Sequence, residues 1–256
     1  MKASALEKEK PNPSVVSAEV LKSVQGETSK KSRDLLAREE PLEIRVRGRS
    51  IAVTMRTPGY DSELAAGFLL SEGMIQNRGQ IVEIAYCRGS TVPDNTLNIF
   101  LAADVAVDLD ALTRHVFASS SCGLCGKASI ESVHQHFPPV DSAVTVPSEM
   151  LIELPLRLMA AQKTFGQSRG LHAAAIFDAD GQLIIAREDV GRHNAVDKVL
   201  GYGLLENKLP FGAHILIVSG RASFEIMQKA LAARVPIVCA ISAPSSLAVE
   251  FARESS

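Results

Sequence analysis

Tryptophan is absent from this chain of 256 residues, and aromatic residues make up only 5% of it. Proteins that bind single-stranded nucleic acid commonly stack the bases on aromatic side chains, and this composition offers few of them. The formal net charge is −2, from 27 basic and 29 acidic residues, so the chain is not strongly basic either. Both shortages argue against nucleic acid as the main partner.

Long apolar runs are missing as well. No stretch approaches the ~18 apolar residues that a membrane-spanning helix requires. The segment 1–14 is polar and charged and lacks the hydrophobic stretch of a secretory signal. We therefore expect a cytoplasmic protein that does not associate with membranes.

Cysteine is scarce, with four residues in the whole chain. A cytoplasmic protein rarely builds a disulfide framework, so the thiols need another explanation. Cys87 and Cys239 lie in apolar runs and are predicted to be buried in the core. Cys122 and Cys125 lie instead among serines and glycines, which points to a chemical role.

The chain divides by composition and pattern into three parts. Residues 1–37 are rich in Lys, Glu, Ser and Pro, which predicts a flexible tail. Residues 38–145 predict a smaller N-terminal α+β portion that ends in the Cys-x-x-Cys loop and the helix after it. Alternating strands and helices in residues 146–256 predict an α/β portion with a partly parallel sheet covered by helices.

The individual elements are predicted from apolar periodicity and from turn and cap residues. Asp61 is predicted to cap the first helix, which runs through Leu70. The predicted strands cover 42–46, 51–55, 81–86, 96–101, 171–177, 183–187, 215–218 and 237–241. The predicted later helices cover 148–163, a segment that begins near Arg192, 223–233 and 244–253.

The Cys122-x-x-Cys125 segment has the properties of a group carrier. A thiolate is the reactive form of cysteine, and nearby positive charge and a helix N-terminus favour it. Lys127 supplies the charge, and a helix is predicted to start there. Gly123 and Gly126 predict a mobile loop that can bring sulfur to a donor and then to an acceptor.

Three other interpretations of this segment stay open. Zinc requires four ligands, and only His134 and His136 stand nearby, at a spacing that is poor for joint ligation. A thioredoxin-like catalyst places its Cys-x-x-Cys directly after a strand, whereas a Ser-rich loop comes first here. Two unreactive thiols are the third interpretation. We expect no structural metal.

Three loops in the last third of the chain each follow a predicted strand and open a predicted helix. They span 187–194, 219–223 and 242–246. Such loops meet at the carboxyl edge of an α/β sheet, where helix N-termini and arginines favour phosphate groups. The predicted cofactor-binding residues are Arg192, His193, Asn194, Ser219, Gly220, Arg221, Ser242 and Ser245.

Ordinary helix capping is the alternative explanation for each loop taken alone. His193 with Asp197, and Asn194 with Lys198, stand four residues apart on what is predicted to be a polar helix face. Such pairs are more often structural than catalytic. His172, in an apolar strand, is predicted to be a core histidine with satisfied hydrogen bonds.

With these motifs in view, the chain resembles the FdhD family of formate dehydrogenase accessory sulfurtransferases over roughly residues 38–250. The resemblance rests on several long segments in the same order. They are Ser-Ser-Cys-Gly-Leu-Cys-Gly-Lys at 120–127, Glu-Asp-Val-Gly-Arg-His-Asn-Ala-Val-Asp-Lys at 188–198 and Ser-Gly-Arg-Ala-Ser-Phe-Glu at 219–225, with shorter matches at 39–44, 56–59, 63–69, 71–73 and 170–174.

The resemblance implies a cytidine-deaminase-like α/β/α core with a mixed sheet, and a homodimer. It implies that sulfur passes from a cysteine desulfurase, as a persulfide on Cys122, to the molybdenum or tungsten bis(molybdopterin guanine dinucleotide) cofactor of formate dehydrogenase. Cys125 is then the second thiol of the motif, and the three loops become candidates for holding the guanine nucleotide end. A non-catalytic chaperone that binds and inserts the cofactor is the alternative function.

Two departures from related proteins matter. Deaminases with this fold bind zinc through His-x-Glu and Pro-Cys-x-x-Cys, but here Ala173 and Ala174 follow His172, and Ser121 precedes Cys122. Deaminase chemistry is therefore not supported. Chains of the family also usually continue past the helix that ends near Arg253, so the resemblance puts part of the cofactor site in doubt.

Overall fold

The computed structural model describes residues 14–26, 28–87, 89–106 and 137–255. Its described strands form a two-stranded sheet and two four-stranded sheets. Among these residues, no helix combines the length and the apolar character that crossing a bilayer requires.

The first sheet is a hairpin within the segment that was predicted to be a flexible tail. Strands β1 (Val15–Lys22) and β2 (Lys30–Ala37) pair antiparallel along their whole length. The prediction is therefore wrong for these residues. Valines and a leucine in β1 and two leucines in β2 lie among the polar residues of this segment, and the polar composition of 1–37 as a whole outweighed them in the prediction.

The second sheet has the order β4-β3-β6-β5. Strands β3 (Glu40–Val46) and β4 (Arg49–Arg56) form the predicted hairpin, and β5 (Ile81–Tyr86) and β6 (Thr96–Leu101) match their predicted bounds. Strand β3 is antiparallel to β4 and parallel to β6, because the chain passes through a helix between β4 and β5.

That helix, α1 (Asp61–Ser71), begins differently from the prediction. Its N-cap is Tyr60, in the left-handed region at φ 60°, and Asp61 is its first residue. The buried carboxylate of Asp61 accepts hydrogen bonds from Arg56 at 2.8 Å and from the hydroxyl of Tyr86 at 3.0 Å. Asp61 therefore ties the start of α1 to the N-terminal sheet rather than capping the helix.

The third sheet has the order β10-β9-β7-β8. Its strands and the helices around them are α2 (Ser148–Ala161), α3 (Phe165–Ser168), β7 (His172–Asp178), β8 (Leu183–Asp189), α4 (Arg192–Leu205), β9 (His214–Arg221), α5 (Phe224–Ala232), β10 (Ile237–Ser242) and α6 (Ser246–Glu254). Strand β7 is antiparallel to β8 and β9, and β9 is parallel to β10. The predicted mixed α/β portion is confirmed, whereas its cytidine-deaminase-like character stays a prediction.

Helices cover both faces of the third sheet. Ala174 and Ile176 of β7 point into a large core that includes α1 and α4. Ala173, Ala175 and Phe177 point to the opposite face and belong to a smaller core that includes buried leucines of α2. Because side chains alternate along a strand, β7 serves both cores.

Helices α1 and α4 cross closely and join the N-terminal part of the chain to the third sheet. A Cβ atom at Gly67 would lie 1.9 Å from the carbonyl oxygen of Asp197, and one at Gly201 would lie 1.8 Å from that of Glu63. Only glycine permits this approach. The two portions therefore share one core, while the predicted boundary near residue 145 stays a prediction.

Candidate functional site

The three predicted loops lie along one edge of the third sheet. Strands β8, β9 and β10 run in the same direction, so their carboxyl ends, and the N-termini of α4, α5 and α6, are at that edge. Strand β7 runs the other way and places His172 there too, since His172 pairs with Asp189 in the register. The topology thus confirms the prediction that the loops come together.

The first two loops approach each other at Gly220. A Cβ atom at Gly220 would lie 3.6 Å from Cδ of Arg192 and 3.8 Å from Nδ1 of His172. Nε of Arg192 is buried and has no hydrogen-bond partner within the described residues. Burial and the charge of Arg192 lower the pKa of His172, which keeps this imidazole neutral.

His193, the second residue of α4, is 6% exposed, and its Nε2 has no hydrogen-bond partner in the described part of the chain. The carboxylate of Glu225 is 4.0 Å away, which is too far for a hydrogen bond. Burial, followed by the charges of Lys229 and Arg192, lowers the pKa of His193 to about 3. The imidazole is therefore neutral, and its Nε2 can form one hydrogen bond with a ligand.

Asn194 is placed differently from its neighbours. Its side-chain nitrogen donates to the carbonyl oxygen of Met55 at 2.7 Å and to the carboxylate of Asp189 at 3.0 Å. Its side-chain oxygen accepts from Thr54 at 3.2 Å. These bonds hold the loop against β4, so they disfavour the predicted contact of Asn194 with a cofactor.

The carboxylate of Asp189 holds the first loop in place, although Asp189 was not among the predicted site residues. Its carboxylate accepts from the backbone N–H groups of Thr57 at 3.1 Å and Gly191 at 2.8 Å. Nζ of Lys198 lies 2.7 Å from it, and both side chains are almost fully buried. Lys198, a basic residue in the mostly apolar helix α4, was the available signal, because a buried charge needs a partner.

The pairs predicted along α4 are wrong. Lys198 pairs with Asp189 rather than with Asn194. Asp197 pairs with Lys229 at 2.8 Å rather than with His193. The reason is that this stretch of α4 has no solvent-facing polar side: packing against α1 and α5 buries residues 193–201.

The second loop leaves polar groups available. The hydroxyl of Ser219 accepts from the backbone N–H of Ala173 at 2.9 Å and lies 3.5 Å from Nδ1 of His172. Arg221 is exposed at the end of β9. Ser223 is the N-cap of α5, but its buried hydroxyl makes no capping bond and has no partner within the described residues. The first N–H groups of α5 are thus not capped by the Ser223 side chain.

The third loop is joined to the second. The backbone N–H of Ser245 donates to the carbonyl oxygen of Ala222 at 3.0 Å. Its hydroxyl accepts from the backbone of Ala248 at 3.3 Å, which makes it the N-cap of α6. Ser242 pairs with Arg221 in the register of β9 and β10 and is exposed. Ser245 therefore has a structural role, and Ser242 lies beside the site.

A mainly apolar groove of about 350 Å³ lies beside these two loops. It runs between α5, β10 and α6, and its lining includes Ala222 and Pro244 from the loops themselves. Val238 and Val249 provide apolar walls. A flat, partly apolar ring could occupy it while an attached anionic group reaches the loops.

The predicted catalytic residues Cys122 and Cys125 lie outside the described residues. Cys87 and Cys239 are half-buried free thiols, so they are less buried than predicted, although Cys239 packs against the smaller core. Burial raises the pKa of the Cys239 thiol, which keeps it protonated and unreactive. Within the described ranges, no cluster of three or more His, Cys, Asp and Glu residues could hold a metal ion.

These features define a mixed α/β protein whose third sheet carries, at one edge, two arginines and buried polar atoms that have no partner among the described residues. The model of the FdhD/NarQ family matches residues 37–256, and the chain belongs to this family. The resemblance seen in the sequence motifs is thereby confirmed.

Curated relatives support the same assignment. The chain is 51% identical over 228 residues to a sulfur carrier protein FdhD of Streptomyces coelicolor, an alignment that covers 86% of this chain and 81% of the relative. It is 50% identical over 228 residues to the sulfur carrier protein FdhD of Mycolicibacterium paratuberculosis, with 87% and 84% covered.

A solved structure shares the fold. It is the crystal structure of a candidate formate dehydrogenase accessory protein from Desulfotalea psychrophila, with a TM-score of 0.76 and 24% identity. The similarity covers 95% of this chain and 90% of the other.

Proposed function

We propose that this protein is a sulfur carrier that serves formate dehydrogenase in the cytoplasm. It takes sulfur from a cysteine desulfurase onto Cys122 and passes it to the molybdenum or tungsten bis(molybdopterin guanine dinucleotide) cofactor, which is its substrate. Relatives that are about half identical bear the name sulfur carrier protein FdhD, and this supports the proposal.

Buried polar groups without partners at the edge of the third sheet support the proposal independently of those names. Nε of Arg192, Nε2 of His193 and the hydroxyl of Ser223 are buried without a partner among the described residues. A buried polar group left unpaired costs about 1–3 kcal/mol, so a site that retains three of them is suited to a ligand that satisfies them.

A phosphate or diphosphate group fits these groups best. The N-termini of α4 and α5 carry partial positive charge at this edge. Arg192 and Arg221 add guanidinium donors, which bind phosphate oxygens in a bidentate manner. Gly220 lets a ligand approach the backbone, and the adjacent groove can take a guanine ring. The site therefore suits the nucleotide end of the cofactor.

The chemistry assigned to Cys122 is a thiol–disulfide exchange. Its thiolate attacks the terminal sulfur of the donor's persulfide, a new S–S bond forms on Cys122, and the donor cysteine leaves with the electron pair as a thiolate. Cys125 can then attack the inner sulfur of the Cys122 persulfide, which releases hydrosulfide and leaves a disulfide between the two residues. A thiol reductant must reduce that disulfide before the next cycle.

Mass spectrometry tests the carrier role directly. The protein is incubated with a cysteine desulfurase and cysteine, and the peptide that contains Cys122 is expected to gain the mass of one sulfur atom. Cys122→Ser is the matched control and should not gain it at this position. Labelling of Cys239 with none on Cys122 would falsify the assignment.

The alternative is a non-catalytic chaperone that binds the cofactor and inserts it. Cells that contain only the Cys122→Ala variant separate the two functions. The carrier proposal expects inactive formate dehydrogenase, whereas the chaperone alternative expects full activity because the sheet-edge site is unchanged.

A further inference from the structure

Glu225 lies in the first turn of α5, next to the first turn of α4. Its carboxylate is 4.0 Å from Nε2 of His193, and the side chains of Glu225 and His193 are only 15% and 8% exposed. That nitrogen is buried and has no partner among the described residues. A mostly buried carboxylate and an unpartnered imidazole nitrogen therefore lie on either side of a gap that is too long for a direct hydrogen bond.

One oxygen atom fits this gap. An oxygen about 2.8 Å from both atoms makes two hydrogen bonds of ordinary length, at an angle of roughly 90° to each other. The neutral imidazole of His193 can donate from Nε2, whereas an ionised carboxylate can only accept. The group between them must therefore accept one hydrogen bond and donate another, and a hydroxyl group does both.

The position of His193 relative to Glu225 is fixed by a second pair of residues on the same two helices. Asp197 follows His193 by one turn of α4, and Lys229 follows Glu225 by one turn of α5. Asp197 and Lys229 form a buried ion pair at 2.8 Å. Because this pair holds α4 against α5, the gap one turn earlier is set by the fold, which lowers the entropic cost of binding a ligand there.

The charge of Glu225 distinguishes this gap from the phosphate position proposed above. A carboxylate repels phosphate oxygens, whereas the guanidinium groups of Arg192 and Arg221 and the first N–H groups of α5 attract them. The part of the ligand that lies next to Glu225 is therefore an uncharged group that carries a proton. In a nucleotide, the ribose hydroxyls are such groups and lie close to the phosphates.

We infer that His193 and Glu225 bind a ribose hydroxyl of the nucleotide. Nε2 of His193 donates to the hydroxyl oxygen, and the carboxylate of Glu225 accepts the hydroxyl proton. Glu225 is then a specificity-determining residue that favours ribonucleotides over deoxyribonucleotides. The inference rests on the proposed function, because it concerns the nucleotide end of the same ligand.

Calorimetry on the unaltered chain tests the inference with guanosine diphosphate and its 2′-deoxy and 3′-deoxy forms. At least one deoxy form should bind about tenfold or more weakly, because a hydrogen bond to a charged group is lost. Equal binding of all three would overturn the inference and leave the proposed nucleotide site in place. Absence of binding by all three would overturn the inference and the nucleotide site together, while sulfur labelling of Cys122 would still test the carrier role.

Variants of Glu225 assign the preference to this side chain. Glu225→Ala should bind guanosine diphosphate more weakly and should bind the deoxy forms with the same affinity as the ribonucleotide. Glu225→Gln retains a carbonyl oxygen that can accept the hydroxyl proton, so it should keep part of the preference.

Glu83→Ala is the matched control, since Glu83 is an exposed glutamate on β5 of the N-terminal sheet. It should keep the full preference for the ribonucleotide. A preference that persists unchanged in Glu225→Ala would overturn the inference, because another group would then bind the hydroxyl. The circular dichroism spectrum of each variant checks that the fold is retained.

Discussion

Two regions of this protein contain buried polar groups that differ in whether they have partners. At the junction of α4 with β8, α1 and α5, Lys198 and Asp189 lie 2.7 Å apart, and Lys229 and Asp197 lie 2.8 Å apart. At the edge of the third sheet, only a few residues away, buried atoms of Arg192, His193 and Ser223 have no partner within the described residues.

The paired groups contribute to the stability of the fold, whereas the unpartnered groups are available to bind a ligand. Each charge of a buried ion pair compensates the other, and Thr57 and Ser71, from the N-terminal part of the chain, form hydrogen bonds with these pairs. Unpartnered groups cost stability unless a ligand or a water molecule satisfies them. Changes at the junction should therefore alter unfolding, and changes at the edge should alter binding.

Loss of the buried charge of Lys198 should have the largest effect. Lys198→Met keeps the apolar stem but leaves the carboxylate of Asp189 buried and uncompensated, which should cost about 3–5 kcal/mol in the free energy of unfolding. Urea denaturation measures it. Lys208→Met is the control, since Lys208 is exposed and should change stability by less than about 0.5 kcal/mol.

A methyl group between α1 and α4 should have the next largest effect. In Gly201→Ala, the new Cβ would lie 1.8 Å from the carbonyl oxygen of Glu63, and the backbone must move because the atoms it meets belong to the backbone of α1. We expect a loss of about 1–3 kcal/mol in the free energy of unfolding. The control is Gly166→Ala, where no atom lies within 4 Å of the added group. Equal stability of both variants would show that the crossing is not tight.

At the sheet edge, Arg221→Ala should act on binding instead. We expect about tenfold weaker binding of guanosine diphosphate, measured by calorimetry, because a charged hydrogen bond to phosphate is lost. Stability should change by less than about 0.5 kcal/mol, since Arg221 is exposed. Arg33→Ala removes the same charge from β2 and should bind as the unaltered chain does. Unchanged affinity in Arg221→Ala would move the nucleotide to another site.

The smallest expected effect is on pH dependence. The pKa of His193 is lowered to about 3 in the folded protein, against about 6.5 in the unfolded chain. At pH values between these two pKa values, the unfolded chain binds one more proton than the folded protein. The free energy of unfolding therefore decreases as the pH falls below about 6.5. From about pH 7.5 to about pH 5.5 the unaltered chain should lose about 1.4 kcal/mol more than His193→Gln.

His172 and His214 also have lowered pKa values and contribute in the same direction, but they are present in both proteins and cancel in the comparison. Identical losses in both proteins would mean that His193 is not held neutral by the fold.

Most of the strands and helices in the structure were predicted from local sequence patterns. Strands β5 and β6 match their predicted bounds, and the loops before α4, α5 and α6 follow strands as expected. The alternation of strands and helices also placed these loops at one edge, because parallel strands end together. The hairpin of β1 and β2 was missed because polar residues dominate the segment and its few aliphatic residues do not alternate.

Partnerships between distant residues could not be predicted in the same way. Asp189 meets Thr57, and Lys229 meets Asp197 and Ser71, through contacts between elements that are separated in the chain. Sequence spacing suggested neighbours four residues apart instead, which is correct for a solvated helix but not for a buried one.

The amino-acid sequence alone was sufficient for the family, the Cys-x-x-Cys motif and the mixed α/β class, because each depends on residues that are close together in the chain. Which polar groups are paired, and which are left for a ligand, became apparent in the folded protein. The reason is burial. A charge in water needs no particular partner. Where α1 and α4 cross and α5 covers them, water is excluded, so a polar group without a partner costs free energy and a polar group with one does not.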